Sequence, residues 1–133
     1  MKRKLLAIVG LALFFLPTNS GADPFVGIAS WYSESDPGIN LRTANGEIFD
    51  DSKWTCASWD FPFNTYLRVT HLANGKTVLC RVNDRGPAKR LGRAIDLTQA
   101  AFRGLAPLRL GLIHVKVEVA YKTQSRPEGF LPK

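Results

Sequence analysis

Two stretches of the sequence carry acidic side chains whose surroundings suggest chemistry. The first, RVNDRGPAKRLGRAIDLTQAA over residues 81–101, places Asp84 and Asp96 among four arginines. The second, TANGEIFD, carries Glu47 directly after an Asn-Gly turn signal and ends at Asp50. Such carboxylates either form structural ion pairs with the arginines, or include an acid whose pKa is raised by burial or by a second carboxylate. Asp84 and Glu47 are 37 positions apart, so only the fold can bring them together.

The pattern around these stretches predicts many short strands. YLRVTHL and KTVLCRV alternate apolar and polar residues and are joined by Ala-Asn-Gly, which predicts a hairpin. VGIASWY, RAIDLT and GLIHVKVEVAY are further predicted strands, and TQAAFRGL is predicted as a helix with Thr98 as its N-cap. Five or six strands in about 100 residues must form a barrel or a sandwich to bury their apolar faces. We expect a mainly β fold and favour a small closed barrel.

The two ends of the sequence differ from the region between them. Residues 1–22 combine a basic start, a twelve-residue apolar run and a small-residue end, which is typical of a cleavable secretory signal peptide. Residues 122–133 are polar and proline-containing and are expected to form a flexible tail, which leaves 23–121 as the predicted domain. We expect an exported protein, periplasmic or secreted. No stable membrane anchor is expected, because about 20 apolar residues are needed to span a bilayer.

The charge of the chain is modestly basic. It is +7 for the whole sequence and about +4 once residues 1–22 are removed. Such a surplus favours anionic surroundings, for example an envelope polymer or a membrane face. Nucleic acid is not expected as a partner, because the chain is exported and its cations form no single run. We expect a monomer.

The sequence contains two cysteines, Cys56 and Cys80. In an oxidising compartment an even pair of cysteines is interpreted as a disulfide. The two histidines, His71 and His114, lack metal-ligand spacing relative to the cysteines. We therefore expect a disulfide, no metal site and no cofactor.

Six motifs, GIASWYS, RTANGEIFD, TCAS, RVNDRGP, GRAIDLTQAA and VKVEV, occur in this order. The ordered set resembles the rare lipoprotein A-like double-psi β-barrel domains over about residues 25–121, and the barrel is similar to those of expansins, barwin-like proteins and family-45 endoglucanases. The resemblance implies a six-stranded double-psi β-barrel with one or two short helices and a polysaccharide-binding groove. It also implies an endolytic peptidoglycan lytic transglycosylase, which cleaves the MurNAc–GlcNAc β-1,4 bond without water and leaves 1,6-anhydroMurNAc ends. The expected partner is then the glycan strand of peptidoglycan.

The resemblance also implies which carboxylates are functional. The family's positions fall on Glu47 and Asp84, and a third acidic position falls on Asp50, which is either a substrate contact or a turn cap. One acid can protonate the leaving oxygen and then take the proton of the attacking sugar hydroxyl. Our hypothesis gives Asp84 this role, while Glu47 tunes its pKa or stabilises positive charge on the sugar, and the two roles could be exchanged. Asp96 is either a groove acid, as in related barrels, or a cap of the helix after Thr98.

Three further side chains are predicted to contact substrate. Tyr32 follows a strand and precedes a polar loop, where its ring could stack on a sugar. Arg85 could bind a carboxylate of muramic acid, or instead pair with the acidic residues. Ser58 stands in TCAS where active relatives have a histidine, and serine offers no charge near neutral pH. This departure supports an alternative function, a non-catalytic cell-wall glycan-binding module like the expansins and barwin-like proteins.

Overall fold

The computed structural model describes residues 23–123, which form a closed barrel of six strands. The strands are β1 (Phe25–Tyr32), β2 (Thr55–Ala57), β3 (Thr65–His71), β4 (Thr77–Asp84), β5 (Ile95–Thr98) and β6 (Ile113–Lys122). A short helix, α1 (Gln99–Arg103), follows β5, and 3₁₀ turns occupy Lys89–Leu91 and Leu108–Leu110. The predicted signal peptide, 1–22, and residues 124–133 of the predicted tail lie outside the described residues, whereas Lys122, expected to begin the tail, is the last residue of β6. None of the helices within residues 23–123 has the length and apolar character needed to cross a membrane.

The strands are hydrogen-bonded in the order β1-β5-β2-β4-β3-β6, and β6 pairs back to β1. β1 with β5, and β2 with β4, are parallel, whereas the other neighbours are antiparallel. β1 and β2, and likewise β4 and β5, are consecutive in sequence but not adjacent in the barrel, so the chain makes longer connections after β1 and after β4. The predicted six-stranded, mainly β barrel is confirmed.

The hairpin and the helix occur where the sequence predicts them. β3 and β4 pair with Leu67 opposite Cys80, and Gly75 in the connecting turn has a φ of 72°, a conformation that favours glycine. The Thr98 side chain accepts a hydrogen bond from the backbone N–H of Ala101 at 3.4 Å, which caps α1. The helix ends before Gly104, as predicted.

The barrel interior is a single apolar cluster. Every strand contributes to it, and α1 adds the fully buried Ala101 and Phe102. Because side chains alternate along a strand, the neighbours of these core residues face the outside of the barrel. On β1, β2 and β5 the outward-facing residues include Ser30, Tyr32, Ala57 and Asp96. The tyrosine ring stacks on Phe49 of the β1–β2 connection, with ring centroids 4.6 Å apart.

Cys56 and Cys80 are both buried in the core as free thiols. Burial raises the pKa of the Cys56 thiol, and a hydrogen bond with Cys80 adds to this effect. The two thiols are therefore neighbours, but the predicted disulfide is not formed in this structure. It stays a prediction for the exported protein.

The thiol content of the exported protein tests that prediction. We expect no free thiol when the protein is denatured without reductant, because an oxidising compartment joins adjacent cysteines. The bridge would stabilise the fold by roughly 3 kcal/mol in the chain-entropy description. Thiol titration in denaturant is the measurement, and a reduced sample should give both cysteines as the control. Two reactive thiols in the unreduced sample would rule the bridge out.

Candidate functional site

Two aspartates meet on the outer face of the barrel, on either side of β2. Ala57 at the end of β2 is in register with Asp84 of β4 and with Asp96 of β5. A shift in register between Cys56 and Ala57 places Asp84, rather than Asn83, opposite Ala57. Such bulges re-aim side chains, and they are common beside functional sites. The two aspartates lie two strand spacings apart, about 10 Å between backbones, which brings both carboxylates into one site.

Asp84 is held by three donors. Its Oδ1 accepts the backbone N–H groups of Ala44 and Arg85, each at 2.9 Å. The hydroxyl of Tyr32 lies 3.5 Å from its Oδ2. Two backbone donors on one oxygen fix the carboxylate in one orientation, so Oδ2, which has only the long contact with Tyr32, is the oxygen more available to a substrate.

Asp96 is the candidate whose pKa is raised. Burial is the main cause, and the negative charges of Asp36 and Asp84 add to it. Ser30 opposes the shift by donating a hydrogen bond to Oδ1 of Asp96, and Arg93 opposes it from 3.9 Å. The Asp96 side chain keeps 15% of its surface exposed. A carboxyl group that is disposed to hold a proton and remains partly accessible can act as a general acid.

The Tyr32 hydroxyl lies next to Asp84, and the charges of both aspartates act on it. Burial raises the pKa of its hydroxyl, and the charges of Asp84 and Asp96 contribute in the same direction. The hydroxyl is therefore a neutral hydrogen-bond donor throughout the physiological pH range. The predicted stacking of the Tyr32 ring on a sugar is not supported, because the ring is buried and packs on Phe49, and a substrate contact by its hydroxyl stays a prediction.

Glu47 is engaged in a bidentate ion pair. Its two oxygens accept from Nη1 and Nη2 of Arg81 at 2.6 and 2.8 Å, and from the side-chain amides of Asn45 and Asn83 at 2.9 and 3.1 Å. The Arg81 bonds are the main reason that the pKa of Glu47 is lowered to about 2. Glu47 is therefore ionised at any pH near neutrality. The bidentate ion pair argues against the alternative in which Glu47, rather than Asp84, is the proton donor.

The Glu47 ion pair fixes a loop that contacts Asp84. The backbone N–H of Asn45 donates to the carbonyl of Asn83 at 3.3 Å, next to the Ala44 bond that Asp84 accepts. Glu47, Asn45 and Ala44 thus bind one loop to the end of β4. The Glu47 and Asp84 segments come together, as predicted. In this arrangement Glu47 holds the loop whose Ala44 N–H binds the Asp84 carboxylate.

Ser58 and Arg85 support a loop instead of lining the site. Ser58 is 1% exposed, and its hydroxyl accepts from the backbone N–H of Asp60. The Arg85 guanidinium donates to the carbonyls of Ser58 and Phe61, both at 2.8 Å, and lies 3.9 Å from the centroid of the Phe63 ring. These contacts argue against the predicted substrate contacts of both residues, because their polar groups are committed to the 58–63 loop.

Asp50 behaves as a turn cap, the second of its two predicted roles. Its Oδ1 accepts from the backbone N–H and the hydroxyl of Ser52, and these bonds lower its pKa. Together with Glu34 and Asp51 it forms a partly exposed acidic cluster, a common surface feature that does not by itself indicate a metal. The aspartate pair is on another part of the barrel face, with no contact to Asp50 among the hydrogen bonds of residues 23–123.

Two residues of the site were missed by the sequence analysis, Ser30 and Arg81. Ser30 stands two positions before Tyr32 on a strand, so it had to share the outward face with it. Arg81 stands two positions before Asn83 on the same outward side of β4, and both bind Glu47. Strand periodicity was therefore a usable signal for Ser30, whereas the partner of Arg81 depends on how a distant loop folds.

Comparison with known proteins assigns this chain to a family. The sequence profile described as "Lytic transglycolase" matches residues 25–117. The chain is 44% identical over 95 residues to a probable endolytic peptidoglycan transglycosylase RlpA of Nostoc. This match covers 71% of this chain and 25% of the relative. It is 45% identical over 105 residues to the corresponding RlpA of Pseudomonas aeruginosa (78% and 30%) and 40% identical over 114 residues to that of Neisseria meningitidis (85% and 46%). The chain thus spans a quarter to just under half of the length of these curated relatives.

Solved structures show the same barrel. A Streptomyces papain inhibitor superposes with a TM-score of 0.57 at 26% identity, covering 74% of this chain and 96% of the inhibitor. A Clavibacter michiganensis expansin superposes with a TM-score of 0.59 at 24% identity, covering 79% of this chain and 54% of the expansin. The similarity to the expansin supports the fold alone. The family profile and the relatives at 40–45% identity support membership of their family. The chain belongs to the RlpA-like lytic transglycolase family of double-psi β-barrel domains.

Proposed function

We propose that this protein is an endolytic peptidoglycan lytic transglycosylase, which cleaves the MurNAc–GlcNAc β-1,4 bond and leaves 1,6-anhydroMurNAc ends. The observation that carries the proposal is the pair Asp84 and Asp96 on one outer face of the barrel, where burial and neighbouring charge raise the pKa of Asp96. The names of the relatives, endolytic peptidoglycan transglycosylases, support it. The proposed partner is the glycan strand, and the proposed location is outside the cytoplasm, in the periplasm or the medium.

Two proton transfers complete this reaction. Asp96, protonated, donates its proton to the oxygen that leaves C1 of MurNAc, and the C1–O bond breaks. The C6 hydroxyl of the same sugar then forms the new C1–O bond, and its proton passes to the Asp84 carboxylate. No water is consumed, and a proton returns from Asp84 to Asp96 to reset the pair. This assignment revises the sequence-based hypothesis, which gave both proton transfers to Asp84.

Glu47 acts in this proposal as a positioning residue. It stays ionised, and its charge is matched by Arg81 through two short hydrogen bonds. A carboxylate already neutralised by an arginine offers little stabilisation to positive charge on a sugar. Its contribution is to hold the loop whose Ala44 N–H orients Asp84.

Digestion of purified, peptide-free glycan strands tests the proposed function. Mass analysis of the products should find anhydro-muramic ends with the native protein and none with the double variant Asp84→Asn/Asp96→Asn. Asp60→Asn is the matched control, because this exposed aspartate undergoes the same chemical change outside the pair. Products that carry a reducing MurNAc end would show hydrolysis instead, and would disprove the transglycosylase assignment.

A second candidate function is a non-catalytic glycan-binding module. It is favoured by one observation, since Ser58 replaces the expected histidine and its hydroxyl is buried and bonded to Asp60. The site therefore lacks the imidazole group that a histidine at position 58 would provide. Strand binding by the native protein without any anhydro ends would establish this second function.

Tyr32→Phe is expected to lower the rate of anhydro-end formation about five-fold, the effect of losing roughly 1 kcal/mol from a single hydrogen bond. The variant keeps the stack on Phe49, so its thermal stability should change little. Kinetics on peptide-free strands measure the effect. A rate equal to that of the native protein would show that the hydroxyl, 3.5 Å from Asp84, takes no part in the reaction.

A further inference from the structure

We propose that Trp59 and Lys89 form a sugar-binding subsite beside the aspartate pair, in which the indole stacks on a pyranose ring and Lys89 binds the carboxylate of an acidic hexosamine such as muramic acid. This inference rests on the proposed function, because it names the residues that hold the strand next to the bond being cleaved. It concerns two residues that the reaction itself does not use.

The Trp59 ring is exposed and yet fixed. Half of the residue's surface is accessible, which is unusual for tryptophan. Its indole N–H donates to the carbonyl of Pro87 at 2.7 Å, so the orientation of the ring is set from one edge. An exposed aromatic ring that is already oriented loses little conformational freedom when a ligand packs on it. Trp59 therefore has the properties of a binding platform rather than of a core residue.

The same contacts place Trp59 next to the aspartates. Its neighbour Ser58 donates its backbone N–H to the carbonyl of Asp84 at 3.1 Å. On the other side, Pro87 follows Gly86, and a Cβ on Gly86 would lie 3.9 Å from Oδ2 of Asp96. Ser58 alone thus lies between Trp59 and Asp84, and Pro87 alone lies between the indole and Gly86, whose backbone is next to Asp96. A strand bound across the pair would pass close to this ring.

The charge around the ring selects the kind of sugar. The Lys89 ammonium lies 5.6 Å from the centroid of the Trp59 ring, and no ion pair within residues 23–123 involves it. The connection from β4 to β5 also carries Arg90 and Arg93. A cation beside a stacking ring favours a sugar that bears a carboxylate over a neutral one. In peptide-free glycan strands, that sugar is muramic acid with its lactyl carboxylate.

Binding is measured by isothermal titration calorimetry in the inactive background Asp84→Asn/Asp96→Asn, so that the strands are not consumed, and tryptophan emission is recorded as a second readout. The probes are peptide-free glycan strands and a neutral chitin oligosaccharide. Trp59→Phe should weaken strand binding about ten-fold, equivalent to about 1.4 kcal/mol, and should remove the ligand-dependent change in emission. Trp54→Phe is the matched control, because Trp54 is equally exposed but precedes β2, whereas Trp59 follows it.

Lys89→Gln separates the two parts of the subsite. It should weaken binding of the strands about five-fold and leave binding of the neutral oligosaccharide unchanged. Unchanged strand binding by Trp59→Phe, or equal losses with Trp54→Phe, would overturn the subsite. That result would leave the proposed function intact as long as the native protein still forms anhydro ends. Conversely, strand binding that depends on Trp59 without formation of anhydro ends would refute the proposed function and support the subsite.

Discussion

The substitution Asp96→Asn is expected to lower the rate of anhydro-end formation by at least about 100-fold, the usual contribution of a general acid. Asparagine keeps the size of the side chain and can still accept the hydrogen bond from Ser30, but it has no proton to give to the leaving oxygen. Kinetics on peptide-free strands measure the loss. A rate within a few-fold of the native protein would show that Asp96 is not the acid and would return the role to Asp84.

The same variant should gain stability, and the gain should depend on pH. The pKa of Asp96 is raised from 3.8, because burial penalises its charged form in the folded protein. Its protonated form is therefore favoured by folding, and this contribution to stability is lost as the pH rises through the raised pKa. Asparagine has no charge to desolvate, so Asp96→Asn should match the native protein well below pH 3.8 and be more stable at pH 8. Urea unfolding at both pH values measures the difference.

Loss of activity with a gain in stability distinguishes a catalytic acid from a structural one. If Asp96 instead stabilised the fold through its hydrogen bond with Ser30 and its ion pair with Arg93, the ionised form would be the stabilising one, and its replacement would cost stability at pH 8. The native activity should also decline as the pH rises through the raised pKa of Asp96, because the donor must be protonated. An active variant that is less stable at pH 8 would contradict both statements.

The parts of the fold that follow local rules could be predicted from the sequence. The β3–β4 hairpin follows from alternation around a turn with Gly75, and α1 follows from the cap at Thr98. The closed six-stranded double-psi barrel was predicted from the ordered motifs of the family, whereas the order of its strands was not predicted. The register shift at Ala57 depends on three strands at once, and no local pattern indicates it.

The candidate site divides in the same way. That Asp84 and the Glu47 loop come together was predicted, whereas their roles depend on contacts made across 34 to 40 positions of the chain. Whether Asp96 caps α1 or faces the site could not be decided from sequence. The structure decides it, because Thr98 alone provides the cap and Asp96 pairs with Ser30 of the neighbouring strand. Arg85 was expected near an anion, but two backbone carbonyls bind its guanidinium.

The variant Glu47→Gln is expected to be about ten-fold less active and about 1 kcal/mol less stable at neutral pH, the upper end of values for a partly exposed ion pair. Glutamine cannot reproduce the charge-assisted bonds to Arg81, so the 43–47 loop is held less firmly. Ala44 then orients Asp84 for a smaller fraction of the time, which lowers kcat more than it raises KM. Kinetics on peptide-free strands and urea unfolding measure the two effects.

The loss of stability in Glu47→Gln should vanish in acid. The pKa of Glu47 is lowered from 4.5 to about 2, so its stabilising contribution is fully present above pH 4.5 and is lost as the pH falls through about 2. With 38% of the side chain exposed, solvent reduces the free energy of the ion pair below what the pKa shift alone suggests.

Arg81→Gln should lose the same activity and stability, and the double variant should lose little more, because both residues serve one ion pair. If Glu47→Gln abolished activity while Arg81→Gln did not, the carboxylate itself would act on the substrate, since loss of the ion pair is common to both variants.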